Sequence, residues 1–418
     1  MPTSCQRAAA RPAVGHAGPV STPDRLVTDR ERRARLARRH ALHPDHRVRD
    51  TLAATRAMTV LHATEASSVH LAVQARTDQP VTEVERALYE ERSVVKQLAM
   101  RRTLFAFPRD LLPAALGSAA ARVAAEQRRL VARDVEQYGI APDGQAWLEQ
   151  ACAAVLDHLG STGPRTARQL REELPALAGT VTYALDRKYG GTLHIAPRVL
   201  TTLGAEGLIV RGRGDGHWRT SRPTWTLGAE WLGAPVTPAS SREGYAELVR
   251  RWLRTFGPGT LEDVQWWLGS TKTAARTALA DVDAVEVGLE RGRTGWLLPD
   301  DLEEAPDVEP WAALLPSLDP TTMGWKERDF YLDPRRTAYL FDSNGNGGTT
   351  AWWDGQVVGA WVQDPEGVVR VVPAPGVDLG ADARRALDAT AGRLTTWLDG
   401  TVISNIYKSA LMKGERLP

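Results

Sequence analysis

Apolar positions recur with a helical period through most of this chain and with a period of two near its C-terminal end. One stretch stands apart. Val48, Leu52 and Met58 space out a helix over residues 47–61, and Val69, Leu71, Ala72 and Val73 give residues 66–75 an apolar stripe. Between them lies a polar step, His62-Ala63-Thr64-Glu65. The pattern predicts two helices meeting there. Thr64 or Ser67 is suited to accept from the free N–H groups of the second helix's first turn, and Glu65 suits the positive end of its dipole.

After the step, Thr82 and Glu85 form a capping-box pattern that opens a helix running through Leu88 and Tyr89. Thr103, Phe105 and Phe107 then alternate with Arg102, Leu104 and Ala106, which predicts a strand ending at Pro108. Residues 110–138 are rich in Ala and Leu and read as helical. The next segment has a clear order. Helices are expected over 145–159, over 166–174 with Thr166 as cap, and over 196–207 with Pro197 in the first turn and Gly207 at the end. A β-hairpin over 208–219 turns at Asp215-Gly216. The order repeats. Helices over 243–256, 260–268 and 270–279 precede two strands within 285–298, with Gly257-Pro258-Gly259 breaking the first helix. Three helices and then a hairpin is the winged-helix order. Residues 300–309, acidic and containing Pro306, read as a linker. Hairpins are expected over 339–353 and 356–372 and a helix over 382–398.

Charge changes this picture locally. The balance of 52 basic against 51 acidic residues leaves +1, so no global field draws the chain onto nucleic acid and any attraction must be local. Residues 30–39 hold six Arg against one Glu, either a solvated helix face or a phosphate contact. Residues 161–222 carry ten Arg or Lys and five Asp or Glu, an excess that favours nucleic acid. The candidate DNA contacts are Arg38, Arg39, Arg101, Arg102, Arg198, Arg211, Arg213, His217, Arg219, Lys272 and Arg276. Trp266 and Trp267 read as core and interdomain contacts. His70 reads as a buried, satisfied histidine.

The two cysteines, Cys5 and Cys152, cannot build a disulfide framework, and no Cys/His spacing matches a zinc site. There is no Walker loop, HExxH, GxSxG or dinucleotide fingerprint, so neither a metal nor a cofactor is expected. With no long apolar run and no secretory signal, a cytoplasmic location is expected.

Leu61-His62-Ala63-Thr64 followed by Leu71-Ala72-Val73-Gln74-Ala75-Arg76 resembles the helix-joining segment of the AlkZ-like winged-helix DNA glycosylases. Met100-Arg101-Arg102-Thr103-Leu104 resembles a Met-Arg-x-Thr-Leu segment of that family. Leu314-Leu315-Pro316-Ser317-Leu318-Asp319-Pro320 with Gly324-Trp325-Lys326-Glu327-Arg328 resembles the lead-in to its C-terminal β domain. The resemblance runs from about residue 26 to the end. It implies an α+β chain of tandem winged-helix (helix-turn-helix) domains followed by a small C-terminal β-barrel or sheet domain. The expected segments are an N-terminal arm over 1–25, winged helices over 26–140, 141–235 and 240–300, and the β domain over 310–418.

The activity it implies is monofunctional hydrolysis of the N-glycosidic bond of alkylated or crosslinked purines, in DNA repair and genotoxin resistance. The partner would be double-stranded DNA and the state a monomer. The family carries Gln-apolar-Gln or Gln-apolar-Asp at the step, where the first and third residues address the lesion and the attacking water. This chain has His62-Ala63-Thr64 there, so His62 and Thr64 are the candidate catalytic residues. A cationic base is already a good leaving group, so the site must favour an oxocarbenium-like transition state and place a water. A neutral His62 can accept a proton or hold water, a cationic one opposes a positive sugar, and Thr64 offers one uncharged hydroxyl. The alternative is a non-catalytic winged-helix DNA-binding protein, a transcriptional regulator or lesion sensor.

Overall fold

The computed structural model describes residues 25–183, 191–415 and 417. Residues 1–24 of the expected arm, with Cys5, lie outside the described residues. The chain is α+β, and one order of elements occurs three times. A helix leads to a short extended segment, then to two more helices and an antiparallel pair of strands, and the short segment joins the pair as a third strand.

In the first instance the helix Thr51–Ala57 precedes Leu61–His62, then Ala66–Gln74 and Val81–Glu85, which continues through Arg86–Glu90. The strands Val94–Leu98 and Leu104–Pro108 follow, and Leu61–His62 pairs with the latter. In the second, Gly144–Thr162, Arg165–Thr166, Ala167–Glu173 and Ala196–Ala205 lead to Ile209–Arg211 and Thr224–Leu227. An extra hairpin, Thr180–Tyr183 with Gly191–His194, is inserted before the third helix. In the third, Ser241–Phe256, Leu261–Leu268 and Lys272–Asp281 lead to Val285–Leu289 and Arg293–Leu297, and Gly259 bridges to Trp296.

Thr166 and Thr260 cap their helices with full capping boxes, to Gln169 and Asp263. The equivalent junction in the first instance is built differently. Asp50 caps the helix Thr51–Ala57 through Ala53 N at 2.8 Å, which shortens the helix expected over 47–61 at its start. Thr59 takes φ +63 and turns the chain, and Leu61 and His62 leave the helix to pair with Ala106 and Phe105. The polar step therefore joins a strand to a helix, not two helices. The following helix has Glu65 at its N-cap position with no side-chain cap, so neither Thr64 nor Ser67 caps it. The capping box expected from Thr82 to Glu85 does not form either. Pro80 takes the N-cap position in an extended conformation, which puts Thr82 inside the first turn.

Two expected hairpins also differ. Arg211 pairs with Trp225, so the connection spans residues 212–223 and Asp215-Gly216 is only part of it. Instead of a hairpin over 339–353, Thr337–Leu340 is a helical turn and Asp342 holds the loop, accepting from the N–H groups of Asn344 and Asn346 at 2.9 Å. The strand Thr350–Trp353 finds its partners in Ala312–Leu315 and Gln356–Gln363, and Val369–Pro373 completes the sheet. The helix Ala381–Leu398 covers it through Leu387, Leu394 and Leu398, packed with Leu314 and Trp361.

The start of the described chain reaches across the molecule. Leu26–Val27 adds in parallel to Val285–Leu289. The basic helix Asp29–Arg39 then spends much of its charge inside the protein. Arg35 pairs with Glu31 at 2.8 Å and Asp301 at 2.9 Å, Arg39 with Asp301 at 2.5 Å, and Arg30 with Asp307 at 2.5 Å. The acidic stretch 300–309 is thus the counter-charge of that helix, rather than a free linker. No helix among the described residues is long and apolar enough to cross a membrane.

Candidate functional site

The polar step lies at a seam between the first and second instances of the repeated order. The strand Val94–Leu98 packs against Ile209–Arg211, and Gln97 Nε2 donates to the carbonyls of Gly204 (2.8 Å) and Ala205 (3.3 Å) at the end of the neighbouring helix. This places a recess on each side of Ala63-Thr64. Thr64, Arg102, Arg198, Arg211 and Asp134 line the larger, of about 530 Å³. Ala63, Ala66, Lys96, Arg211, Trp218 and Arg222 help to line the smaller, under the 212–223 loop.

His62 and Thr64 have different environments. Thr64 is half-buried and open to the larger recess. His62 is buried and lines neither recess. Its ring meets Phe105 edge-on at 5.2 Å, and its Nδ1 lies 3.5 Å from the Thr64 N–H. Burial, and then the nearby Arg101 charge, push its pKa down to about 3. His62 is therefore neutral at physiological pH and brings no positive charge beside a developing oxocarbenium.

Glu65, the carboxylate nearest to the step, is committed elsewhere. It is buried, and its Oε1 accepts from the N–H groups of Ile406 at 2.6 Å and Tyr407 at 2.9 Å. Burial raises its pKa against the lowering effect of those two bonds. It acts as the anchor of the C-terminal segment, a long-range role that residue spacing could not reveal. Glu65→Ala is expected to speed amide exchange at Ile406 and Tyr407 and to cost about 1–3 kcal/mol, while Glu65→Gln keeps an acceptor oxygen and most of the protection. Hydrogen exchange with mass spectrometry checks this; unchanged protection in Glu65→Ala would rule the anchor out.

His70 is buried as expected but not fully satisfied. Its Nδ1 is 3.4 Å from Ala66 O, its Nε2 has no partner among the described residues, and its pKa falls to about 3, chiefly through burial. The ring packs on Trp218 of the 212–223 loop at 4.9 Å, and Trp218 meets Trp397 at 5.8 Å. This aromatic contact, missed from the sequence, fixes the loop over the central helix.

The candidate DNA contacts divide by their partners. Arg39 is held by Asp301 and by the Gly257 carbonyl at 3.0 Å, and Arg38 donates to Asp307 O at 3.1 Å. Arg101, at φ +54, stacks its guanidinium 3.9 Å over Trp266. Trp266 itself is half-buried and packs against the main core. Arg198 is paired with Asp134, and Arg213 with Glu90 at 3.0 Å. Arg219 donates to Val402 O, and Lys272 lies 3.5 Å from Glu262. His217 is exposed beside Trp218, their rings 5.5 Å apart. Arg102, Arg211 and Arg276 have no ion-pair partner among the described residues. Lys96 and Arg222, which the sequence reading passed over, have none either, and Lys96 Nζ donates to Tyr89 Oη at 2.8 Å. Four of these five, all but Arg276, gather at the two recesses.

A family model described as DNA glycosylase AlkZ-like matches residues 55–397. The chain belongs to the AlkZ-like DNA glycosylase family. The span shared with AlkZ-like proteins contains the polar step and every candidate contact except Arg38 and Arg39. The structure is similar to Streptomyces sahachiroi DNA glycosylase AlkZ, with a TM-score of 0.70 over 89% of this chain and 97% of that one. The sequence identity is 21%, so this likeness speaks to the fold. No curated protein matches the sequence.

Proposed function

We propose that this chain is a monofunctional DNA glycosylase that releases alkylated or crosslinked purines from double-stranded DNA, at the recess beside Thr64. The observation that carries the reading is the position of Thr64. The second and third junctions are closed by threonine capping boxes, whereas in the first the N-cap is Glu65, and Thr64, one residue before it, faces a recess bordered by Arg102 and Arg211, which have no internal carboxylate among the described residues. In this reading three winged helices hold the duplex. The target nucleotide swings out of the stack into the seam, and the Thr64 hydroxyl holds the attacking water. His62 stays neutral and supports the Thr64 backbone from behind. A cationic purine needs no protonation to leave, which suits a site without a general acid.

One observation favours a second reading, a lesion-binding protein without chemistry. Asp134, the carboxylate that lines the larger recess, is occupied by Arg198 and Arg133. Base release from duplex DNA carrying N7-alkylguanine, scored by alkaline cleavage at abasic sites, separates the two. Lesion-dependent release is the expected result. Salt-sensitive binding without release would establish the second reading.

A further inference from the structure

We propose that Arg211 grips the backbone phosphate of the displaced nucleotide, and that this phosphate lies across the ridge formed by Ala63 and Thr64. The inference rests on the glycosylase reading and names the group that would hold the substrate there.

Three observations meet at this side chain. Arg211 ends the strand Ile209–Arg211, and it lines the recess on each side of Ala63-Thr64. It is therefore placed to reach a group lying over the ridge itself. Secondly, its guanidinium has neither a carboxylate nor a hydrogen-bond acceptor among the described residues. Arg198, Arg213 and Arg219 of the same structural unit each have one. Arg211 is half-buried, and its contact is the Trp225 ring at 5.1 Å, which holds the group without neutralising it. Thirdly, Lys96 and Arg222 stand at the same recess, also without carboxylates.

A guanidinium kept partly from water and left unpaired costs free energy, and an anion placed on it recovers that cost. Its planar fork suits two oxygens of one phosphate. When a nucleotide rotates out of a duplex its phosphates move with it, so a cation beside the pocket mouth selects the displaced conformation over the stacked one. This differs from a general contact along the duplex, which pulls on stacked and displaced DNA alike.

The test is binding of the full chain to duplexes with a tetrahydrofuran abasic nucleotide, which needs no turnover. One phosphate flanking that nucleotide, 5′ or 3′, is replaced by a neutral methylphosphonate; in a control duplex the replacement lies half a helical turn away. The wild type is expected to lose about tenfold in affinity for one flanking position and to be much less sensitive to the distant one. Arg211→Gln is expected to bind the native duplex about tenfold more weakly and to be blind to the flanking replacement. Arg211→Lys should keep part of the sensitivity. Equal binding of all duplexes by the wild type, or sensitivity fully retained in Arg211→Gln, would overturn the proposal while leaving the glycosylase reading intact. Failure of the wild type to bind any duplex would overturn both. The wild-type comparison needs no variant, so the folding of a mutant does not decide it.

Discussion

Asp319→Ala is expected to lower the folding free energy by about 3–5 kcal/mol, the cost of leaving a buried charge without its partner. Arg76 and Asp319 are both fully buried. They meet through two parallel bonds, Nη1 to Oδ2 at 2.9 Å and Nη2 to Oδ1 at 2.7 Å. Arg76 also donates to Ala72 O and to Thr321 Oγ1, both at 2.8 Å, and Asp319 Oδ1 accepts from Thr321 N at 2.9 Å. The pair thus closes a network between the end of the central helix and the segment leading from the strand Ala312–Leu315. Removing the carboxylate strands a guanidinium that water cannot reach. A loss of this size is a large share of the roughly 5–15 kcal/mol that holds a typical domain together. Urea unfolding at neutral pH measures it. A loss below about 1 kcal/mol would show that the network relaxes and is no brace. Asp319→Asn, which keeps one acceptor, should fall between the two.

The second large effect is acid sensitivity. His62 and His70 have folded pKa values lowered to about 3, first by burial, and His40 is lowered well below its ordinary value for the same reason. The folded protein therefore binds fewer protons than the unfolded chain between the ordinary histidine value and about 3. Stability from these groups is present above about pH 6.5 and is lost as pH falls towards 3. Each group gives up as much as about 1.4 kcal/mol per pH unit inside that window. His62 and His70 together account for about 4 kcal/mol between pH 7.5 and pH 5. Urea unfolding at the two pH values tests this, with His70→Phe expected to make the pH dependence shallower by roughly one proton. Equal stability at both pH values would contradict the buried neutral state. For the chemistry, the same state means that His62 contributes no titration to base release between pH 5.5 and 8.

The sequence made the repeated helix order legible because its signals are local. Thr166 and Thr260 with their partners three residues on, Pro197 and Gly207 all act within a turn or two of chain. The backbone of the polar step was misread. Leu61 and His62 become a strand because Phe105 and Ala106, more than forty positions away, offer the hydrogen bonds. The charge pattern misled for a related reason. The basic helix Asp29–Arg39 looks like a phosphate contact until the 300–309 segment folds onto it, and Arg101 looks exposed until Trp266 arrives beneath it. Glu65 likewise gains its role from the N–H groups of Ile406 and Tyr407. Each misreading concerns a partner supplied by a distant segment. Lys96 and Arg222 were missed because what distinguishes them is having no such partner.

The measurement that tests the central claim is single-turnover base release from an N7-alkylguanine duplex by three proteins side by side: wild type, Thr64→Val, and His62→Gln/Thr64→Asp. Thr64→Val keeps the shape and removes the hydroxyl, and it is expected to slow release about 100-fold. The double variant installs the Gln-apolar-Asp pattern that marks the resemblance drawn from the sequence, and it is expected to release base at least as fast as the wild type. Equal rates for wild type and Thr64→Val would contradict the account, because the water would then be held somewhere other than the recess beside Thr64.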